Sequence, residues 1–139
     1  MAYAVVLDAD VLHPYNLADL LLRLCERGLF RVAAVPNEID PDDRHVVAAA
    51  LAAKADCVVT NNTRHFPHDA LVALGIDAQS ADEFLVNQLT LDEEAVVGVI
   101  RDMEADRLRP PRTPHELLTA LEGAAPRFAE LARELFSDD

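Results

Sequence analysis

The chain has 139 residues, 51% of them hydrophobic and 27% charged, which fits a single domain with its own core. No apolar stretch approaches the roughly 20 residues that a membrane helix needs. The net charge of −13, from 25 acidic and 12 basic residues, argues against a general electrostatic binder of nucleic acid. It does not exclude a nuclease, because divalent cations offset an acidic site and a local arginine cluster can meet phosphate. It also suits a basic protein partner.

The N-terminus lacks the basic and apolar regions of a signal peptide, so a cytoplasmic protein is expected. Cys25 and Cys57 lie among apolar residues without metal-ligand spacing and are expected to be reduced. Aromatic residues are few and Trp is absent, so the core must be aliphatic.

Taken in order, residues 3–8 read as a buried strand that runs into Asp8-Ala9-Asp10. Residues 16–27 read as a helix with Leu17, Leu20, Leu21, Leu24 and Cys25 on one face, closed by Gly28. Phe30–Val35 is a second strand, and the Pro36–Pro41 stretch breaks it. Asp40 and Pro41 open a helix to about Ala55, and Cys57–Thr60 is a third strand. A short helix over 68–74 ends at Gly75, and Ile76–Gln79 forms a last short strand. Ser80 with Glu83 makes a capping box for the next helix.

From residue 90 the pattern is helical throughout. Thr90 with Glu93 reads as a second capping box, ahead of a face formed by Val96, Val99, Ile100 and Met103. Arg107–Arg112 is a stiff basic connector, Thr113 and Glu116 open another helix, and Pro126 begins the last. The expected division is an α/β domain over 1–89 and a helical extension over 90–139.

Three polar clusters fall where strands end or helices begin: Asp8 with Asp10, the run Asp40–His45, and Thr60–Arg64. A charge at the end of a buried strand is costly unless it is paired or holds a metal, and open α/β sheets bind ligands at that edge. Asp is equally a favoured N-cap, so Asp8 or Asp10 could instead open the following helix. Parallel neighbouring strands would bring the three clusters to one edge. Carboxylates gathered there with little His or Cys suit Mg²⁺ or Mn²⁺. Each residue also has a plain role: helix dipole for Asp42 and Asp43, surface charge for Arg44, structural packing for His45, a turn for Asn62. The sequence holds no Ser-His-Asp, zinc or P-loop signature.

The runs VVLDADVLHPYNLADLLLRLCERGLFR and IDPDDRHVVAAALAAKADCVVTNNTRHFP resemble PIN-domain proteins of the VapC toxin type. LGIDAQSADEFL and the helical tail resemble one branch of them, so the resemblance covers nearly the whole chain. It implies a PIN-like three-layer α/β fold, with a central parallel sheet flanked by helices and a C-terminal helical extension. It also implies a metal-dependent endoribonuclease, in which a water activated by Mg²⁺ or Mn²⁺ attacks an RNA phosphodiester. Matched motif to motif, Asp8 and Asp43 are metal ligands, and Asn62 falls on the catalytic position after the third strand. Arg44 and Arg64 would contact phosphate. The implied partners are RNA, a cognate antitoxin and a second copy of the chain; the shortened connection in the middle would favour exchange of elements between the copies.

The chain departs from the pattern in its middle. The long helical segment that normally precedes the DPDDRH motif, with its catalytic Glu, is reduced to about Ala33–Ile39. Glu38 is the carboxylate there, but its neighbours do not match. Asp10 stands where a neutral polar residue is usual, and His65 where Asp is common. These departures carry an alternative, a catalytically impaired PIN remnant acting as a binding or dimerisation module. A third reading, a haloacid-dehalogenase-like phosphatase with Asp8 and Asp10 as its motif, fails on order because the acidic pair at 42–43 precedes Thr60.

Overall fold

A computed structural model describes residues 3–12, 15–34, 54–61, 75–106 and 113–136. The predicted helix over 41–55 up to residue 53, the predicted helix over 68–74, the basic connector, and Asp43, Arg44, Asn62 and Arg64 lie outside the described residues. Four strands, β1 (Ala4–Leu7), β2 (Arg31–Ala34), β3 (Cys57–Val59) and β4 (Asp77–Gln79), form one sheet in the order β2-β1-β3-β4. All three pairings are parallel, and the fold is of the expected α/β class. A register shift between Val5 and Val6 interrupts the β1–β2 ladder.

Side chains alternate across the strands. Val5, Leu7, Cys57 and Val59 belong to the main apolar core, while Ala4, Val6 and Val58 alternate with them and are buried too. Burial on both faces is why these strands read as unbroken apolar runs.

The short helix α1 (Ala9–Leu12) follows β1 directly, and α2 (Tyr15–Glu26) carries the chain to β2. α2 buries Leu17, Leu20, Leu21 and Leu24, as its spacing predicts. Its end is a Schellman turn. Gly28, at φ +86°, donates to the Cys25 carbonyl (2.9 Å), and Leu29 donates to that of Leu24 (3.3 Å). A side chain at Gly28 would be strained at that φ.

After β4 come α3 (Ala81–Leu91), α4 (Glu93–Ala105), α5 (Pro114–Leu121) and α6 (Pro126–Leu135). Ser80 caps α3 by accepting from the Glu83 amide (3.1 Å). Thr113 and Glu116 make both arms of the predicted capping box at α5. The predicted box at Thr90 and Glu93 does not form. Thr90 lies inside α3, its hydroxyl donating to the Val86 carbonyl, and Asp92 is the cap that accepts from Ala95 (3.0 Å). A carboxylate at the kink between the helices serves α4 better than a hydroxyl two residues earlier, which has a carbonyl of its own turn within reach.

The core runs without a break from Val5 through α2 and the C-terminal helices to Phe136. Phe30 and Phe84 meet edge to face at 4.9 Å, joining the start of β2 to α3. Arg23 of α2 and Arg27, just beyond its end, also pair with Asp106 (2.8 Å) and Asp102 (2.9 Å). Gly98 lets Arg27 lie close against α4, since a Cβ there would meet its guanidinium at 3.0 Å. These pairs are exposed and contribute about 0–1 kcal/mol each, against roughly 1.5–3 kcal/mol for burying one side chain such as Phe128. Apolar burial therefore holds the helical part in place.

α6 lacks a cap of its own, and Asp82 of α3 supplies one. Its two carboxylate oxygens accept from the amides of Phe128 (2.8 Å) and Arg127 (3.2 Å). Pro126 brings no amide to satisfy. Asp82→Ala should lower stability by about 1–2 kcal/mol in urea unfolding, and Asp82→Asn by less, because Asn also caps.

Candidate active site

Asp8 is the first residue beyond β1, and the backbone fixes it on both sides. Its amide donates to the Val59 carbonyl (3.0 Å), extending the β1–β3 ladder by one step. Its carbonyl accepts from Val11 (3.1 Å), which opens α1. Thr60 stands at the equivalent place beyond β3, because Leu7 pairs with Val59, and its amide donates to the Gln79 carbonyl of β4 (2.9 Å).

The two side chains meet there. The Thr60 hydroxyl donates to Asp8 Oδ2 at 2.8 Å, and Thr60 is fully buried while Asp8 remains half-exposed. A threonine bound in this way has its rotamer fixed, and it fixes one carboxylate oxygen in turn. β2 lies on one side of β1 and β3 on the other, so the strand order reverses between β1 and β3. In doubly wound sheets such a switch point opens a crevice at the carboxyl ends, where ligands bind.

Of the predicted site residues, the structure describes Asp8 and places it at that crevice. Asp10 follows within α1. Asn61, next to the predicted Asn62, is exposed just beyond β3. Among the described residues no three His, Cys, Asp or Glu side chains gather closely enough to hold a metal ion. Thr60 is the residue that the structure adds beside Asp8: in the sequence it is one member of a polar run, and its tie to Asp8 spans 52 residues and depends on the register between two strands.

Tyr3 and Cys57 stand at the opposite end of these strands. Burial pushes the Cys57 thiol up to about 12, and the nearby Asp77 carboxylate adds to the effect. Burial, then the neighbouring Cys57 and Asp77, raises the Tyr3 phenol to about 12 as well. Both groups are neutral across the physiological range. Both cysteines are free, Cys57 buried and Cys25 half-exposed.

Putative ribonuclease VapC50 of Mycobacterium tuberculosis is 48% identical to this chain over 105 residues, or 76% of its length. The chain is homologous to that VapC50 protein. It spans 61% of the length of that VapC50 protein. A family model described as the VapC50 C-terminal domain matches residues 81–134, the stretch from the start of α3 to near the end of α6. No solved structure matches the chain. The parallel sheet with helices on its face and a helical C-terminal part is the PIN-like architecture that the resemblance implies.

In the folded chain at pH 8, iodoacetamide should label Cys25 well before Cys57, as read by peptide mass spectrometry. The raised Cys57 and Tyr3 values stabilise the fold fully below the ordinary thiol value of 9.0. That stabilisation should be lost as pH climbs toward 12, seen as a falling urea midpoint over this window.

Proposed function

We propose that the chain is a metal-dependent endoribonuclease of the PIN/VapC type that hydrolyses RNA phosphodiester bonds. One observation carries the reading: the Asp8 carboxylate is held by the buried Thr60 hydroxyl at the switch point of a parallel sheet. The 48% identity to a protein whose name describes a ribonuclease supports it. The donors at this edge are oxygens, a carboxylate and a hydroxyl, and they fit a hard cation such as Mg²⁺ or Mn²⁺. Asp8 and Asp43 would hold the ion, which when bound supplies Lewis acidity toward water and phosphate.

The chain's own residues do the rest. Thr60 is a positioning residue, since it fixes the rotation of the Asp8 carboxylate before any ligand arrives. Asn62 would orient the attacking water, and Arg44 and Arg64 would meet the phosphates. The cognate antitoxin, a homodimer, a cytoplasmic location and the division at residue 89 belong to the same proposal.

Asp8→Asn should reduce manganese-dependent cleavage of single-stranded RNA at least a hundredfold, with the circular dichroism spectrum unchanged. Full cleavage by that variant would remove Asp8 from the site. Thr60→Val should weaken Mn²⁺ binding by about 10–100-fold in calorimetry, and Thr60→Ser should restore it. A folded wild-type chain that neither binds Mn²⁺ nor cleaves RNA, yet dimerises, would instead favour the impaired remnant.

A further inference from the structure

The hydrogen bond between Thr60 and Asp8 bears on how many carboxylate oxygens an ion can use. The Thr60 hydroxyl donates to Asp8 Oδ2 at 2.8 Å. Thr60 is 0% exposed while Asp8 is half-exposed, so Oδ2 is turned against the buried end of β3. Both residues are also held by their backbones. The Asp8 amide donates to the Val59 carbonyl (3.0 Å), and the Thr60 amide to the Gln79 carbonyl (2.9 Å). Neither residue can slide to release Oδ2 without breaking the sheet ladder. To turn both oxygens toward one ion, the carboxylate would have to rotate and take this acceptor away from a buried hydroxyl, which is costly.

The number of oxygens on offer decides which ion is content. Ca²⁺ collects about six to eight oxygens and readily takes a carboxylate by both of its own. Mg²⁺ demands a near-octahedral shell, keeps several waters, and is commonly held by one or two carboxylates alone. Mn²⁺ shares the octahedral oxygen preference. Among the described residues no three His, Cys, Asp or Glu side chains gather closely enough to hold an ion. The described part of the site is therefore sparse in oxygens, which suits an ion that retains water.

We infer that Thr60 is a selectivity residue: by holding Oδ2 it limits Asp8 to coordination through Oδ1, and so favours Mg²⁺ or Mn²⁺ over Ca²⁺. The inference rests on the proposed reading of Asp8 as a metal ligand. Thr60 acts through Asp8, so it is a positioning residue, and its effect is read in a ratio of affinities.

Calorimetric titration of the full chain with Mn²⁺ and with Ca²⁺ tests this, the binding lost in Asp8→Asn defining the site. The wild-type chain should bind Mn²⁺ at least tenfold more tightly than Ca²⁺. Thr60→Val keeps the shape of the side chain and removes the donor. It should lower that ratio at least tenfold, because Mn²⁺ loses an oriented ligand while Ca²⁺ gains a second oxygen. Thr60→Ser should keep the wild-type ratio. Infrared difference spectra of the wild-type chain keep the test open in case Thr60→Val does not fold. With Mn²⁺ added, the carboxylate bands that Asp8→Asn removes should show the wide splitting of coordination through one oxygen. Three results would overturn the inference and leave the nuclease reading standing: equal wild-type affinity for the two ions, a ratio unchanged in Thr60→Val because both ions weaken together, or the narrow splitting of a chelating carboxylate. A wild-type chain with no divalent binding that depends on Asp8 would overturn the reading and the inference together.

Discussion

The pairing of β1 with β3 is the constraint on which the site depends. A strand buried on both faces offers no lateral place for a charge, so its first carboxylate appears where the strand runs out. The register that sets Leu7 against Val59 then puts a hydroxyl beside that carboxylate. A slip of one residue would turn Thr60 toward the other face of the sheet and leave Asp8 without this partner. The hydrogen bond of 2.8 Å is thus a product of sheet pairing. The same pairing makes β1 the strand where the chain order reverses, so the partnered carboxylate and the crevice coincide.

What the sequence made legible was local. The apolar runs became β1 to β4, the leucine spacing became the buried face of α2, and Gly28, Ser80 and Thr113 closed or opened helices where their chemistry predicts. Near residue 90 two capping signals lie two residues apart, and the sequence alone does not rank them. A threonine can be absorbed into a helix by bonding back to its own turn, and Asp92 takes the cap. The tie between Thr60 and Asp8 and the cap that Asp82 gives to α6 span 52 and 46 residues. No periodicity encodes such pairs, because they exist only once the sheet register and helix packing are set. Asp43 and Asn62 entered by likeness to a family and lie outside the described residues, so of the candidate set Asp8 alone has a described environment.

The helical part is joined to the sheet by the same core that buries the strands. Its ion pairs to Arg23 and Arg27 fix orientation more than they stabilise, because both are exposed and screened by salt. Near the chain's end, Arg101 lies over the Phe136 ring at 5.0 Å, and His115 Nε2 lies 3.0 Å from the Phe136 carbonyl. α4 and α5 therefore grip the residue that follows α6.

The carboxylate of Asp82 has a consequence for the order of assembly. α6 is short, has no capping side chain of its own, and is encoded after every other described helix. Helices of that length are marginal in water by themselves. During synthesis on the ribosome, its first turn gains its cap only once α3 has docked and presents Asp82. Its first turn is thus held from α3, while its later turns are held from the preceding helix through Arg133, which bonds Thr119 and Glu122.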